Sequence, residues 1–259
     1  MPPLHIALST SVFEHSDLEV ASIQRLLLPR QLPSLEGWDI ASHYQPCDAS
    51  GGDFYGFQTR MADHLQLLVA DVSGHGARAA VVMAMLRAWL ESHQAFELET
   101  ANIAGDMNTL FNRIEGLGVF VTGVFANINL KDGSFRYINC GHPFPRIVRA
   151  SGVLDVLRGG HCLPLGIADD LGLEGPGMNM LSPGDALVFY TDGIIEAASQ
   201  TGARFEESGL DASVIKGGSS HEIVSRLLCS LTSFRQDAPR LDDECVLVVK
   251  RSPRAVNPV

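Results

Sequence analysis

Five acidic residues stand where their side chains could share one metal site. Asp71 and Asp192 each end an apolar run, and Asp53 follows a pair of glycines. Asp242 and Asp243 stand immediately before a further apolar run. Strand ends lie at the rim of a sheet, so carboxylates from different strands can meet there. Two carboxylates about 4 Å apart repel by roughly 4 kcal/mol at an effective dielectric constant near 20, and a convergent set therefore requires a cation.

The ligand types indicate which cation this would be. Few Lys or Arg residues lie near these carboxylates in the sequence, and no His or Cys ligand pattern accompanies them. Hard divalent cations bind carboxylate, carbonyl and water oxygens, so the pattern favours Mg²⁺ or Mn²⁺ over zinc. In the alternative interpretation each Asp is a turn or cap residue beside a glycine, which is the commoner use of Asp in such places. The residues alone leave both interpretations open.

The composition excludes several classes of protein. The chain has 259 residues, and 19 Lys and Arg against 30 Asp and Glu give a net charge of −11. Nucleic acids are bound mainly through Lys and Arg, so a nucleic-acid partner is not expected. With 46 % hydrophobic and 19 % charged residues the composition is that of an ordinary globular protein, and we expect one domain over residues 1–259.

Cysteine use and hydropathy predict the cellular location. The five Cys residues form an odd set without a CxxC pair, which indicates neither a disulfide framework nor a zinc site. The sequence contains no run of about 18 apolar residues of the kind that predicts a membrane helix, and the N-terminus lacks a signal-peptide pattern. We therefore expect a cytoplasmic protein without a membrane partner.

Periodicity predicts helices and strands along the whole chain. The spacing of Ser16 and Glu19 is that of a capping box and predicts an N-terminal helix over residues 16–28, ended by Pro29. Residues 252–259 are expected to be a flexible tail. Further helices are predicted over 77–90 and 101–114 and after Ser219 or Ser220, and strands over 38–44, 65–70, 120–130, 134–139, 146–149, 153–157, 186–191 and 245–249.

Seven short motifs occur along the chain in a fixed order. They are Gly51-Gly52-Asp53-Phe54-Tyr55, Ala70-Asp71-Val72-Ser73-Gly74-His75-Gly76, Gly141-His142-Pro143, Leu163-Pro164-Leu165-Gly166, Pro183-Gly184-Asp185, Tyr190-Thr191-Asp192-Gly193 with Glu196-Ala197, and Asp242-Asp243. In this order they resemble the bacterial SpoIIE/RsbU-like branch of the PPM, or type 2C, metal-dependent protein phosphatases. The likeness runs from about Gln24 to Lys250. It implies an α+β protein with four layers, α-β-β-α, in which a central antiparallel β-sandwich is flanked by helices.

The resemblance also implies a binuclear site with two Mn²⁺ or Mg²⁺ ions at one end of the sandwich. Motif by motif, Asp71 resembles the carboxylate that bridges both ions, and the Val72 backbone carbonyl resembles the adjacent ligand. The remaining carboxylates of the implied site are Asp53, Asp192 and Asp242.

The chain departs from the family pattern at several positions. In the Asp242-Asp243 pair the first residue matches the family's ligand, but Glu244 follows where an apolar residue is common. Gly56 and Glu206 also stand where the family usually has Asp and Gly. None of these changes removes a matched ligand, although they bear on loop shape and metal affinity.

The reaction implied by the resemblance is hydrolysis of phosphoserine or phosphothreonine in a protein by a metal-activated water. Two cations about 3.5–4 Å apart lower the pKa of a shared water and stabilise charge on the attacking and leaving oxygens, so no side-chain nucleophile is needed. The chain agrees with this, since it has no G-x-S-x-G motif and no G-x-x-x-x-G-K-[ST] phosphate loop. His75 is a weak candidate for the general acid. For His75 and His142 a hydrogen bond to turn backbone is the commoner role.

The resemblance further implies a substrate and competing functions. The substrate would be a phosphorylated STAS-domain anti-anti-sigma factor in bacterial partner-switching signalling. The alternative is a catalytically weak or inactive module of the same fold that sequesters a signalling partner, which loss of a metal carboxylate would favour. A two-metal nuclease is opposed by the charge of −11. The apolar stripe of the N-terminal helix is compatible with a homodimer or with packing on the sandwich.

Overall fold

Two β-sheets pack face to face, and helices cover both outer faces. In a computed structural model, the described residues are 10–59, 63–74, 76–92, 100–114, 116 and 118–253. The strands within them are β1 (Trp38–Gln45), β2 (Asp53–Gln58), β3 (His64–Val72), β4 (Val121–Asn129), β5 (Ser134–Cys140), β6 (Arg146–Val148), β7 (Leu154–Val156), β8 (His161–Cys162), β9 (Gly177–Met180), β10 (Ala186–Tyr190) and β11 (Glu244–Arg251). The helices are α1 (Thr10–Leu27), α2 (Ala77–Ser92), α3 (Thr100–Asn112), α4 (Asp192–Ile195), α5 (Glu206–Val214) and α6 (Ser220–Arg235).

Each sheet is built mainly from antiparallel neighbours. The first sheet has the strand order β1-β11-β10-β6-β7. The second has the order β2-β3-β4-β5-β8, and β9 also pairs with β5. Among the described strands only the short β5–β8 pair is parallel. Strand β11 lies between β1 and β10, so the first and the last of the described strands in sequence are hydrogen-bonded neighbours.

Three apolar layers hold these elements together. Along β3, Leu67 and Val69 point into the layer between the two sheets, whereas Leu68 and Ala70 point towards the layer under α2 and α3. Because both faces of this strand are buried, its sequence is a continuous apolar run instead of an alternating one. The third layer packs α5 and α6 on the outer face of the first sheet. This arrangement confirms the predicted α+β fold with four layers.

Of the two cap residues that the sequence leaves open, Ser219 caps α6 and Ser220 is the first residue of the helix. The Ser219 side-chain oxygen accepts a hydrogen bond from the Glu222 backbone N–H at 3.2 Å, and Glu222 Oε2 accepts one from the Ser219 backbone N–H at 2.7 Å. This capping box satisfies two donors at the start of α6. The apolar stripe of the helix then packs on the first sheet, through Ile223, Leu227 and Leu231.

The N-terminal helix starts earlier than its sequence predicts. It begins at Thr10, so Ser16 lies within the helix and does not cap it. No Gly or Pro interrupts residues 10–15, and the helix therefore extends over them. It ends at Leu27, two residues before Pro29, as expected for a chain that meets a proline. Leu18, Ile23 and Leu26 are exposed on it, and a homodimer through this face stays a prediction.

Other differences concern short elements. Strand β2 was not predicted, because Gly51, Gly52 and Gly56 obscure its apolar pattern. The short elements α4, α5, β8 and β9 were also missed. The predicted flexible tail lies outside the described residues except for 252 and 253. No described helix is both long enough and apolar enough to cross a lipid bilayer.

Candidate metal centre

Strands β2 and β3 bring two of the predicted ligands together. Asp53 and Asp71 are direct partners in the antiparallel register of these strands. Directly opposed residues on one face have Cβ atoms about 4.5–5.5 Å apart, so the two carboxylates are neighbours at the sheet end. Asp53 is 2 % exposed, and Asp71 is half-buried.

The loop before β2 lies against the backbone that follows Asp71. The Val72 N–H donates to the Gly52 carbonyl at 3.0 Å. A Cβ atom added to Gly52 would lie 2.3 Å from the Val72 carbonyl oxygen, 2.9 Å from the Gly74 carbonyl oxygen and 3.1 Å from Asp71 Oδ1. Only glycine fits here, because three oxygen atoms face its Cα. One of them is the predicted Val72 carbonyl ligand.

Thr191 connects the predicted ligand Asp192, which follows it in the chain, to the predicted ligand Asp53. Its hydroxyl donates to Asp53 Oδ2 at 2.7 Å and accepts from the Cys245 N–H at 3.0 Å. The Thr191 N–H donates to the Cys245 carbonyl at 3.1 Å, which ties the end of β10 to β11. The next residue, Asp192, begins α4. A fully buried threonine thus fixes the end of the first sheet against a carboxylate of the second.

Asp242 and Asp243 have different surroundings. Asp243 is 7 % exposed, and its carboxylate accepts from the backbone N–H groups of Cys47 and Gly52, both at 2.6 Å. Asp53 N–H lies 3.4 Å from the same carboxylate. Asp242 is exposed and accepts only from its neighbour's N–H among the described residues, at 2.8 Å. Asp243 therefore shapes the loop that carries Asp53, while Asp242 keeps lone pairs available.

Helix α1 also contacts this loop. Gln24 is 3 % exposed, and its side-chain amide makes two hydrogen bonds with Gly51. Nε2 donates to the Gly51 carbonyl at 2.7 Å, and Oε1 accepts from the Gly51 N–H at 3.1 Å. The second donor of Nε2 points to Met83 Sδ of α2 at 3.3 Å. The loop is thus held from one side by Asp243 and from the other by α1.

Burial and mutual repulsion raise the pKa values of these carboxyl groups. Asp71 is the clearest example. Burial is the largest cause, the charges of Asp192, Asp242 and Asp243 add to it, and the pKa rises from 3.8 to about 7. Burial and the charge of Asp71 raise the pKa of Asp53 well above its ordinary range. These shifts mean that ionisation of these carboxyl groups is unfavourable unless a positive charge compensates for it.

The donor set fits hydrated Mg²⁺ or Mn²⁺. Among the described residues, none of the five aspartates forms an ion pair with Lys, Arg or His. No three of the described His, Cys, Asp and Glu side chains lie close enough together to hold a metal ion alone. Mg²⁺ commonly takes one or two carboxylates and keeps several waters. Carboxylates and carbonyls spread around one end of a sandwich suit such an ion better than they suit zinc, which needs a closed tetrahedral cage.

The two predicted histidines have different outcomes. His75 lies outside the described residues. His142 is 4 % exposed, its Nδ1 lies 2.8 Å from Thr122 Oγ1, and its backbone makes two hydrogen bonds with the Asn139 side chain. Burial lowers the pKa of His142 to about 3, so the ring stays neutral and cannot supply a proton at neutral pH. His142 thus has structural contacts, as the alternative interpretation expects, although its ring bonds to the Thr122 side chain instead of to turn backbone.

The α-β-β-α fold, with acidic side chains at one end of the sandwich, defines the class of PPM, or type 2C, protein phosphatases. The structure is similar to the SiaA-PP2C domain of Pseudomonas aeruginosa, with a TM-score of 0.79, 20 % sequence identity, and coverage of 95 % of this chain and 99 % of that domain. The family model described as Stage II sporulation protein E (SpoIIE) matches residues 62–252. The chain therefore belongs to the SpoIIE family.

Two characterised relatives come from Bacillus subtilis. The chain is 27 % identical to the phosphoserine phosphatase RsbU, over 91 % of this chain and 70 % of RsbU. It is 23 % identical to the phosphoserine phosphatase RsbP, over 81 % of this chain and 51 % of RsbP. The chain thus spans about half the length of RsbP and a larger share of RsbU. These similarities confirm the resemblance drawn from the seven motifs.

Proposed function

We propose that this chain hydrolyses phosphoserine or phosphothreonine in a protein, with two Mn²⁺ or Mg²⁺ ions held at the end of the sandwich. The proposed bridging ligand is Asp71, and the Val72 carbonyl is its neighbour. The other proposed ligands are Asp53, Asp192 and Asp242. The observation that carries this proposal is the placement of carboxylates from both sheets, without ion-pair partners among the described residues, at one end of the sandwich, where burial and mutual repulsion make their ionisation costly without cations.

The chain's own residues prepare this site for its substrate. When bound, two divalent cations would supply a nucleophilic water and neutralise charge on the phosphate oxygens. Thr191 holds Asp53 in one orientation through its 2.7 Å hydrogen bond. Asp243 holds the loop at Gly52. The Val72 carbonyl oxygen and Asp71 Oδ1 both lie against this glycine. A preorganised set of oxygens of this kind does not have to be ordered during the reaction.

The proposed partner is a phosphorylated STAS-domain anti-anti-sigma factor. RsbU and RsbP, which are named phosphoserine phosphatases, support a phosphoserine substrate. A net charge of −11 does not favour long-range attraction of an acidic phosphoprotein, so we expect docking through a local patch. We also propose a cytoplasmic location, because the five Cys residues form no predicted disulfide framework.

A catalytically inactive binding module is the competing function. Loss of one metal carboxylate would favour it, and every matched carboxylate is present in the sequence. Their shared position at one end of the fold favours the enzyme. Sequestration of a partner would require no concentration of negative charge at the site.

The decisive experiment measures hydrolysis of an aryl phosphate and of a phosphoserine peptide with and without Mn²⁺. The wild type is compared with Asp192→Asn, and with Asp106→Asn as a control of the same chemical change on the exposed face of α3. We expect Mn²⁺-dependent turnover that falls at least about 100-fold in Asp192→Asn and is unchanged in Asp106→Asn. A wild type that binds Mn²⁺ in calorimetry but hydrolyses neither substrate would support the binding module instead.

A further inference from the structure

A second, arginine-containing site adjoins the candidate metal centre. A cavity of about 220 Å³ opens beside Asp242 and the start of α4. This volume is below the roughly 300–1,000 Å³ of small-molecule pockets, so it suits a side chain of a larger partner better than a free ligand. The charged residues that define this arginine groove are Glu196, Arg204, Arg235, Arg240, Asp242 and Glu244.

The groove has an excess of positive charge when Asp242 is assigned to the metal. Three arginines then face two glutamates, Glu196 and Glu244. With Asp242 counted, the three arginines and three carboxylates balance, so in either case the groove lacks the excess of acidic residues of the whole chain, whose net charge is −11. A groove that is less negative than the rest of the surface favours an anionic group on the partner.

Glu244 lies beside two of these arginines. Its side chain is 3 % exposed and pairs with Arg235, which is itself largely buried. Its other oxygen, Oε2, lies 3.3 Å from Arg240 Nε, but this contact does not satisfy hydrogen-bond geometry. A guanidinium has five N–H donors, so most donors of Arg240 remain available.

Arg204 lies at the exposed rim of the groove. Its side chain is 59 % exposed and pairs with Glu196 at 2.9 Å. Exposed pairs of this kind contribute only about 0–1 kcal/mol, so a carboxylate from a partner can compete for Arg204 at little cost. The rim and the floor of the groove therefore both offer arginine donors next to the metal centre.

We propose that the arginine groove binds a carboxylate side chain of the phosphoprotein substrate, close in sequence to the phosphorylated residue. The groove shares Asp242 with the metal centre, so a side chain in the groove and a phosphate at the metals belong to neighbouring residues of one segment. The substrate class is thereby narrowed to phosphoserine or phosphothreonine flanked by Asp or Glu. This inference rests on the proposed phosphatase function.

The test uses two phosphoserine peptides that differ only in having Glu or Gln at the three positions on either side of the phosphoserine. KM is measured with Mn²⁺ for the wild type, Arg240→Gln and Arg204→Gln. Arg136→Gln is the matched control, because Arg136 is exposed on β5 outside the groove and the charge change is identical. We expect the wild type and the control to prefer the Glu peptide by about threefold to tenfold in KM, and both groove variants to prefer it less than twofold.

A charge reversal separates recognition from a merely structural role. In Arg204→Glu, a third peptide with Lys at the flanking positions should become the preferred substrate, whereas loss of packing would weaken all peptides equally. Dissociation constants of the same peptides, measured in the Asp192→Asn background, give the preference without turnover.

Two results would contradict the proposal for the groove without contradicting the proposed phosphatase function. They are equal KM values of the wild type for the Glu and Gln peptides, or a Glu preference that survives in both Arg240→Gln and Arg204→Gln. Absence of hydrolysis of every peptide would instead contradict the proposed phosphatase function. In that case the dissociation constants of the peptides still test the groove proposal, because they do not depend on turnover.

Discussion

Asp242 and Asp243 are adjacent and chemically identical, yet their surroundings give them different tasks. The carboxylate of Asp243 is buried and accepts two short hydrogen bonds from backbone N–H groups. The carboxylate of Asp242 is exposed at the edge of the arginine groove. Sequence reasoning selected Asp242 as the ligand through the family motif, and the contacts of Asp243 supply a physical reason for that choice.

This difference predicts that one alanine substitution lowers mainly stability and the other lowers mainly activity. Asp243→Ala should lower the free energy of unfolding by about 2–4 kcal/mol, because the buried N–H of Gly52 and the half-buried N–H of Cys47 lose a charged acceptor. Asp242→Ala should change it by less than about 1 kcal/mol and remove Mn²⁺-dependent activity. Urea unfolding without metal, together with aryl phosphate hydrolysis, measures both effects. Equal stability of the two variants would contradict the assignment.

Gly52 provides a second prediction for a single residue. In Gly52→Ala the new methyl group would lie 2.3 Å from the Val72 carbonyl oxygen, so this proposed ligand must move. We expect Mn²⁺ affinity in calorimetric titration to fall at least about tenfold. Gly105→Ala is the control, because no atom lies within 4 Å of its added Cβ in α3. The control should bind Mn²⁺ normally and gain about 0.5–1 kcal/mol in stability, and a matching loss of affinity in both variants would contradict the prediction.

At the scale of elements, α1 and the loop before β2 act together. Gln24→Leu keeps a side chain of similar size but removes both hydrogen bonds to Gly51. The loop should then lose its fixed position, and we expect Mn²⁺-dependent turnover to fall several-fold more than in Gln31→Leu, an exposed control after the helix. Fold integrity is checked by circular dichroism. Unchanged turnover in Gln24→Leu would mean that Asp243 alone is sufficient to hold the loop.

The elements that could be predicted from sequence are those with a strong local signal. Strands β4 and β5 flank a short loop at Gly133, whose φ of 79° requires glycine, and the capping box at Ser219 defines the start of α6. The elements that were missed are short or interrupted by glycine, such as β2 and the four-residue helix α4. Their formation depends on pairing with distant strands, which no local pattern encodes.

The candidate site shows the same division. The aspartates at strand ends follow from the apolar runs that precede them. The residues that support them do not, because Thr191 is 138 residues from Asp53 and Asp243 is 191 residues from Gly52. Nothing in the local sequence of Gln24 indicates a contact with Gly51, 27 residues away. Metal-ligand roles remain predictions, whereas the positions of these side chains follow from the strand register.

At the scale of the whole molecule, the raised pKa values predict how stability depends on pH. The pKa of Asp71 is raised from 3.8 to about 7, so the metal-free folded state retains a proton that the unfolded chain releases. The stability that this proton provides is fully present below pH 3.8 and is lost as pH rises towards about 7. Raised pKa values at Asp53 and Asp192 act in the same direction.

Buried neutral His142 acts in the opposite direction below about pH 6.5, so the carboxyl contribution is measured as the difference between the wild type and Asp71→Asn. We expect the metal-free wild type to lose stability relative to Asp71→Asn between pH 5 and pH 7.5, and Mn²⁺ to raise the Tm of the wild type more at pH 7.5. Cations compete with protons for the same carboxylates, so they bind best when those protons are gone. Thermal unfolding of the wild type and of Asp71→Asn, with and without Mn²⁺, measures this. An equal Mn²⁺ effect on wild-type Tm at both pH values would contradict the prediction.

The central place of β11 determines when this molecule can become active during its synthesis. Strand β11 separates β1 from β10, and the Cys47–Asp243 contact joins residues 196 positions apart. A nascent chain that has not yet released β11 from the ribosome has an incomplete first sheet, with apolar strand faces that need temporary cover. It also lacks Asp242, one of the proposed metal ligands, so the proposed metal centre is incomplete at that stage. We therefore expect a partly synthesised chain to have no phosphatase activity.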